Sequence, residues 1–294
     1  MNNIVAFVSV IFPNNLKYFD SFLESLDKQT FKKFDLLLFN DGCANDDLLK
    51  RLQKYNLRFE IKNPKSKIPV LIRSEILNYI KEAKYELIVF GDTDDMFSKN
   101  RIFESYKMIK EKSYDIVFND LSIINDAGNI KHRNFWNERF VNGKLKVDFD
   151  FLSNYNVLGL GNSAMRTHIL KGFVLKIDIS IPAFDWILFL QLFNITPKLL
   201  VGFSNEETFY RQHDQNTLGL SNKIGRESLK KLYNIKSKVY DFCKLHGIRI
   251  CEKKVVEHER FGELILNDNN HLDNHLDKIN TNKNKLFWFE EVTL

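Results

Sequence analysis

Apolar and polar residues follow two different periods over the first hundred positions, and the switch between them marks out the elements. Val5 to Ile11 and Phe34 to Phe39 are short apolar runs rich in β-forming residues and bounded by turn formers, which predicts two buried strands. Between them Leu16, Phe19, Phe22, Leu23 and Leu26 recur at helical spacing on one face, which predicts a helix. Strand, helix and strand of these lengths suit a right-handed crossover. The alternation continues with a helix near Asp46 to Tyr55, a strand near Arg58 to Ile61, a helix near Val70 to Ala83 and a strand at Glu86 to Phe90. Such alternation predicts an α/β fold with a mostly parallel central sheet flanked by helices, whose ligands gather at the carboxyl ends of the strands.

Two acidic clusters fall on that predicted rim. The Phe34 to Phe39 strand runs into Asn40, Asp41, Gly42 and Cys43, and the Glu86 to Phe90 strand into Gly91, Asp92, Thr93, Asp94 and Asp95. Three carboxylates this close repel one another unless a cation or ligand donors offset the repulsion. Mn²⁺ or Mg²⁺ would do so, because hard cations take oxygen ligands and complete their shell with diphosphate oxygens. The same residues also suit a solvated turn before a helix starting near Ser98, with an Asp as its cap. Both readings stay open on this pattern alone.

In the second half, IPAFDWILFLQLF places a single acid, Asp185, ahead of a strongly apolar helix. Burial there would lift its pKa toward the range of a general base, while an acid favoured by the helix dipole is the other reading. Helices are expected around Glu227 to Leu245 and Glu252 to Leu266. Their apolar positions, such as Leu229, Leu232, Val239 and Phe242, pack on the catalytic domain or on a second subunit. His271 and His275 share a face of a polar helix or loop that lacks the general-base Glu of a zinc hydrolase motif. Leu286, Phe287, Trp288 and Phe289 form an exposed apolar patch unless docked, which leaves self-association, membrane contact or core packing.

Composition narrows the class. With 44% apolar residues in 294, 26 Phe and few Gly or Pro, the chain can bury a real core and has no low-complexity linker. Cys43, Cys243 and Cys251 are odd in number and not spaced as metal pairs, which fits a reducing, cytoplasmic setting. The run MNNIVAFVSVIFPNN alternates like a strand and has no basic leader, so no signal peptide is expected. Net charge is +5, but Lys223 to Lys254 carries ten Lys or Arg against three Asp or Glu. That basic stretch suits an anionic membrane, a phosphorylated acceptor or plain solvation. No nucleic-acid partner is expected, since no recognition motif accompanies it. Neither G-x-G-x-x-G nor a P-loop motif is present, which argues against nicotinamide and P-loop enzymes.

The order of the segments resembles the family 2 glycosyltransferases, inverting nucleotide-sugar transferases of GT-A fold. VSVIFPNN, Val8 to Asn15, is similar to that family's opening strand and Pro-containing loop. SLDKQTFKKFDLLLFNDG, Ser25 to Gly42, is similar to its first helix, Gln-Thr turn and second strand with an acidic end. FGDTDD, Phe90 to Asp95, resembles its DXD-type motif; GLGNSAMRTHIL, Gly159 to Leu170, resembles the segment framing the acceptor side; and TFYRQHDQN, Thr208 to Asn216, resembles its Tyr-Arg-x-His element.

The resemblance implies metal-dependent transfer, with Mn²⁺ or Mg²⁺, from a nucleotide-diphosphate donor, first a UDP-sugar, to a glycan or lipid-linked acceptor. It implies that Asp41 accepts a hydrogen bond from the nucleotide base beside the Phe12 and Pro13 backbone. Arg73 would contact the nucleotide or be a helix-surface charge. Asp94 would lie near the ribose, and Asp95 or Asp92 near the metal, since DTDD can be read in two ways as a ligand motif. Arg211 would neutralise diphosphate charge, and His213 would ligate the metal, touch a phosphate or serve structure alone. Asn162 and Ser163 would meet sugar hydroxyls, and Asp185 would be the base, with Phe184 standing where the family often has Glu. Asn40 stands where many members carry Asp, and Cys43 where Ser is common.

The expected division is a nucleotide-sugar-binding α/β region over 1–125, an acceptor and catalytic-base region over 126–220, and a C-terminal helical extension over 221–294. A cytoplasmic location is expected, with peripheral contact at the inner membrane face and a homodimer through the C-terminal region as open roles. The rival reading is a non-catalytic nucleotide-sugar-binding protein on the same fold.

Overall fold

The computed structural model describes residues 4–139, 147–213, 224–281 and 286–293. Two compact units divide the chain: Met1–Lys146, Leu158–Leu175 and Lys198–His213 form the first, and Val147–Val157, Lys176–Pro197 and Asp214–Leu294 the second.

In the first unit β1 (Val5–Ile11), α1 (Phe19–Asp27), β2 (Phe34–Asn40), α2 (Asn45–Leu52), β3 (Phe59–Lys62), α3 (Pro69–Glu82) and β4 (Leu87–Phe90) follow in the predicted alternation. β1 and β2 are apolar on both faces because helices cover both faces of a parallel sheet. Phe19, Phe22, Leu23 and Leu26 of α1 enter the core formed with Val5, Phe7, Leu36 and Leu38. Each such side chain contributes about 1.5–3 kcal/mol when withdrawn from water. A polar residue inside is paired: Asp35 on β2 accepts from Tyr85 Oη at 2.8 Å and pairs with Arg58 at 3.2 Å.

After β4 come β5 (Met96–Phe97), α4 (Arg101–Glu111), β6 (Ile116–Ile124), β7 (Ile130–His132), α5 (Phe135–Arg139), β8 (Ser163–Arg166) and β9 (Val201–Arg211). Among the described residues the sheet has nine strands in the order β3-β2-β1-β4-β8-β6-β9-β5, with β7 paired to β6. The predicted parallel order holds from β3 through β4, and β6 runs parallel to β9. β8 is antiparallel to both β4 and β6, so the sheet is mixed beyond β4, although its longest ladders are parallel. The acidic turn does not lead straight into a helix near Ser98. Met96 and Phe97 first pair with Phe209 and Thr208 of β9, and α4 begins at Arg101.

Register shapes the rim. Val8 lies opposite Leu37 on one side and Phe90 on the other, whereas β2 continues until Asn40 faces Ile11. β4 therefore stops three residues short of the end of β1, a step of about 10 Å along the strands.

The second unit contains α6 (Phe149–Leu152), α7 (Phe184–Ile195), α8 (Arg226–Leu245), α9 (Glu252–Phe261) and α10 (Asn269–Thr281). α9 ends earlier than its expected Leu266 because Gly262–Leu266 forms one π-helical turn. α10 is helical and buries Leu272 and Leu276, with the His275 ring edge-on to Phe261 at 5.0 Å. Trp288 and Phe289 are buried within this unit, so of the three roles left open for that segment, core packing describes those two residues. The basic stretch is not uniformly a face either, because Lys236 is only 1% exposed.

Candidate active site

The rim is tied together by short polar side chains. Ser9 Oγ donates to Gly91 O at 2.5 Å, Thr93 Oγ1 donates to Val10 O at 2.9 Å, and Asn15 Nδ2 donates to Thr93 Oγ1 at 3.2 Å. The loop after β1 and the turn after β4 are thus one bonded structure. Asp41 N donates to Ile11 O at 2.7 Å, which brings the end of β2 to the same loop. Gly42, at φ +96°, turns the chain beside the Pro13 ring, a backbone geometry that side chains disfavour. Asn40 folds back on this turn: its Oδ1 accepts from Cys43 N at 2.8 Å and its Nδ2 donates to Cys43 O and Asn45 Oδ1. The Asp41 carboxylate lies 3.7 Å from Lys67 Nζ, and Phe12 is 38% exposed beside that loop.

The step in register borders a cleft. Its walls are Val8 to Val10 of β1, Arg73 and Ile76 of α3, and Gly91 and Asp92 at the end of β4. Arg73 and Asp92 therefore border one space. Gly161 closes against the same carboxylate; a Cβ added there would stand 2.8 Å from Asp92 Oδ2 and 3.7 Å from Asp95 Oδ2.

The remaining carboxylates are held separately. Asp95 is 1% exposed; its Oδ1 accepts from Arg211 N at 2.8 Å, while its buried Oδ2 has no hydrogen-bond partner among the described residues. Burial, then the charges of Asp94 and Asp92, hold Asp95 well above the usual carboxylate range. Asp94 Oδ2 meets His213 Nε2 at 2.9 Å, and the His213 ring stacks on Tyr18 at 5.3 Å. The Arg211 guanidinium lies over the Tyr18 ring at 4.5 Å. It also donates to three backbone carbonyls, those of Asp94, Asn125 and Asp126. In this structure Arg211 braces the acidic turn. Asn162 is likewise engaged by backbone: its Oδ1 accepts from Gly159 N at 2.9 Å and its Nδ2 donates to Asn119 O at 3.3 Å. Ser163 Oγ donates to Gly159 O at 2.7 Å.

Two residues escaped the sequence reading. Arg101, 1% exposed on α4, donates from Nε to Asn119 Oδ1 at 2.7 Å and from Nη2 to Phe90 O. Burial draws its guanidinium down to about 9 and the Asp95 and Asp92 charges oppose that, so a fixed cation stands behind the acidic turn at neutral pH. Tyr18, besides its two stacking partners, donates to Asp126. A charged residue in a helix and an aromatic at a helix start carry no local signal of such roles.

A hard divalent cation is compatible with this donor set. Asp92, Asp94, Asp95 and His213 offer oxygen and imidazole donors, and the unpartnered Asp95 Oδ2 lacks the counter-charge a cation would bring. Among the described residues no three His, Cys, Asp or Glu side chains form a cage for an ion by themselves. One or two carboxylates with diphosphate oxygens suffice for Mg²⁺-like coordination.

Asp185 belongs to the second unit, in the first turn of α7. Its Oδ1 accepts from Asn156 Nδ2 at 3.1 Å and from Trp186 N at 2.9 Å.

The model of the family described as "Glycosyl transferase family 2" matches residues 8–172, more than half of the chain. The chain belongs to glycosyl transferase family 2. The matched family 2 residues include the cleft and the acidic turn, while Asp185, Arg211 and His213 lie beyond them. The poly(ribitol-phosphate) beta-N-acetylglucosaminyltransferase TarS of Staphylococcus aureus (strain Mu50) is 30% identical over 128 residues, covering 41% of this chain and 22% of TarS. The O-antigen biosynthesis glycosyltransferase WbnJ of Escherichia coli is 28% identical over 131 residues, covering 43% of this chain and 50% of WbnJ. This chain therefore spans about a fifth of TarS and half of WbnJ. The crystal structure of S. aureus TarS 1–349 superposes with a TM-score of 0.54 at 18% identity, covering 80% of this chain and 64% of that one. A mannosyltransferase, PcManGT from Pyrobaculum calidifontis, in complex with GDP-Man and Mn²⁺, gives 0.52 at 9% identity, covering 74% and 59%. At these identities the structures bear on the fold, which is the GT-A fold of family 2.

Proposed function

We propose that this chain transfers a sugar from a nucleotide-diphosphate donor, a UDP-sugar first, to a hydroxyl of a glycan or lipid-linked acceptor, with inversion. The observation that carries the reading is the stepped cleft of a family 2 chain, bordered by Arg73 and Asp92. In this reading Arg73 offers positive charge to the nucleotide and Asp41 accepts from its base beside Phe12 and Pro13. Two strand spacings, about 10 Å, separate β2 from β4, a span suited to a nucleoside diphosphate. Mn²⁺ or Mg²⁺ would be held by Asp92, Asp94 or Asp95 with His213 nearby, and when bound supplies positive charge to the leaving diphosphate. Asp185 takes the proton of the acceptor hydroxyl. TarS and WbnJ, by their descriptions, act on poly(ribitol-phosphate) and in O-antigen biosynthesis, which supports a polymeric acceptor. PcManGT, solved with GDP-Man and Mn²⁺, supports including the metal.

Thermal unfolding with a panel of sugar nucleotides, with and without Mn²⁺, tests the reading, because a bound donor raises stability by mass action. A metal-dependent rise with a UDP-sugar is expected, and no rise with any nucleotide would contradict it. Asp185→Asn is expected to keep that rise and to lower transfer by about 10²–10⁴. Donor binding by a wild-type chain that transfers to no acceptor would favour the non-catalytic binding protein instead.

A further inference from the structure

Asp185 is the end of a chain of buried and half-buried contacts that begins in the last residues of the second unit. Its Oδ1 is held by Asn156 Nδ2, in the segment that follows α6. Two residues earlier Asn154, 2% exposed, accepts from Lys236 Nζ of α8 at 2.8 Å. Lys236 also donates to Phe289 O at 3.3 Å and Thr293 Oγ1 at 3.2 Å. An ammonium has three N–H donors, and here three acceptors from two distant segments meet it. A second strand of contacts runs in parallel. Trp186, next to Asp185, donates from Nε1 to Leu152 O at 2.6 Å, and its ring meets Trp288 edge-on at 5.5 Å. Tyr155, between the two Asn residues, meets Phe289 edge-on at 6.0 Å.

We propose that Lys236 and the C-terminal turn around Trp288 to Thr293 are positioning elements for Asp185, fixing its carboxylate through Asn154, Asn156 and Trp186. This rests on the reading of Asp185 as the base. The chemistry favours the assignment over simple packing. A buried lysine without a function in its charge would be replaced at less cost by an apolar side chain, since burial draws this ammonium down to about 7. Three acceptors offset that cost and in doing so fix one geometry. The geometry they impose is that of the 152–157 segment, which carries the partner of Asp185.

Lys236→Met keeps the stem and removes the ammonium. Urea unfolding of the full chain in a double-mutant cycle of Lys236→Met with Asp185→Asn is expected to depart from additivity by about fivefold in the unfolding constant. Additivity within about twofold would overturn the proposal. Release of UDP from UDP-N-acetylglucosamine gives the second readout: kcat is expected to fall about tenfold in Lys236→Met with the donor KM unchanged. Should that variant fail to fold, Thr293→Val removes one acceptor at a half-buried position, and kcat is expected to fall about threefold at constant KM. An unchanged kcat, or a fall matched by a rise in KM, would overturn the proposal. The cycle contains no nucleotide. A wild-type chain that neither binds nor turns over the donor would therefore fail the transferase reading while the cycle still decides the coupling.

Discussion

Two buried polar groupings, one in each unit, differ in the kind of charge they gather, carboxyl groups in the first and a lysine in the second. At the acidic turn of the first unit carboxyl groups crowd together, and among the described residues Asp95 Oδ2 has no hydrogen-bond partner. Around Lys236 in the second unit, three donors meet three acceptors. A buried polar atom without a partner costs about 1–3 kcal/mol, and among the described residues each grouping carries some: Asp95 Oδ2 in the first, Asn154 Nδ2 and Asn156 Oδ1 in the second. On the proposed reading, the difference separates a turn of acids that would take a cation from a lysine that holds other residues still. Arg101 belongs to both ideas: it is a fixed buried cation that limits the repulsion of the turn without entering its ligand side.

The contrast can be broken from the second unit first. Trp288→Ala removes the ring that meets Trp186 and loosens the turn carrying two acceptors of Lys236. A loss of about 3–5 kcal/mol is expected, read from urea unfolding. A loss under about 1 kcal/mol would show that the turn is not part of the unit's core. Gly161→Ala addresses the rim. Its Cβ would stand 2.8 Å from Asp92 Oδ2, so the carboxylate has to move. Affinity for UDP with Mn²⁺ is expected to fall about tenfold, or about 1.4 kcal/mol, in a calorimetric titration. Unchanged affinity would detach Asp92 from the nucleotide.

The smallest effect is a pH dependence. Burial, with Glu290 adding, pushes Glu291 up to about 8 from an ordinary value of 4.5. The folded chain then keeps a proton that the unfolded chain has lost between those values, so this group makes stability fall as pH rises through that window. Glu291→Gln removes the contribution. The stability difference between wild type and variant is expected to change by about 1 kcal/mol from pH 6 to pH 7, measured by urea unfolding at each pH. A constant difference would contradict the burial of a neutral carboxyl there.

The alternation that predicted β1 to β4 was legible because each element there is long enough to show its period, and both acidic ends follow from the direction of parallel strands. β8 was not legible. Four residues, Ser163 to Arg166, show no period, and the strand is set between β4 and β6 by pairing with both and by Arg166 donating to Tyr114 O and Ile109 O. Arg101 and Lys236 were unreadable for one reason: a charged residue in a helical pattern reads as surface, and only acceptors far along the chain, Asn119 for one and Asn154 for the other, make its burial tolerable. Arg211 reads as a phosphate ligand by its neighbours; two of its three carbonyl partners come from the turn after β6, which no local pattern ties to it. Trp288 and Phe289 left three roles open because no local pattern ties them to Trp186 and Tyr155, about a hundred residues or more earlier in the chain, whose rings they meet.

The central claim is that the step between β1 and β4 is where a nucleotide binds. A crystal structure of the chain with UDP and Mn²⁺ tests it most directly. The diphosphate is expected beside Asp92 and Arg73, with the base reaching toward Asp41. Nucleotide bound elsewhere on the chain, with that cleft free of it, would contradict the account.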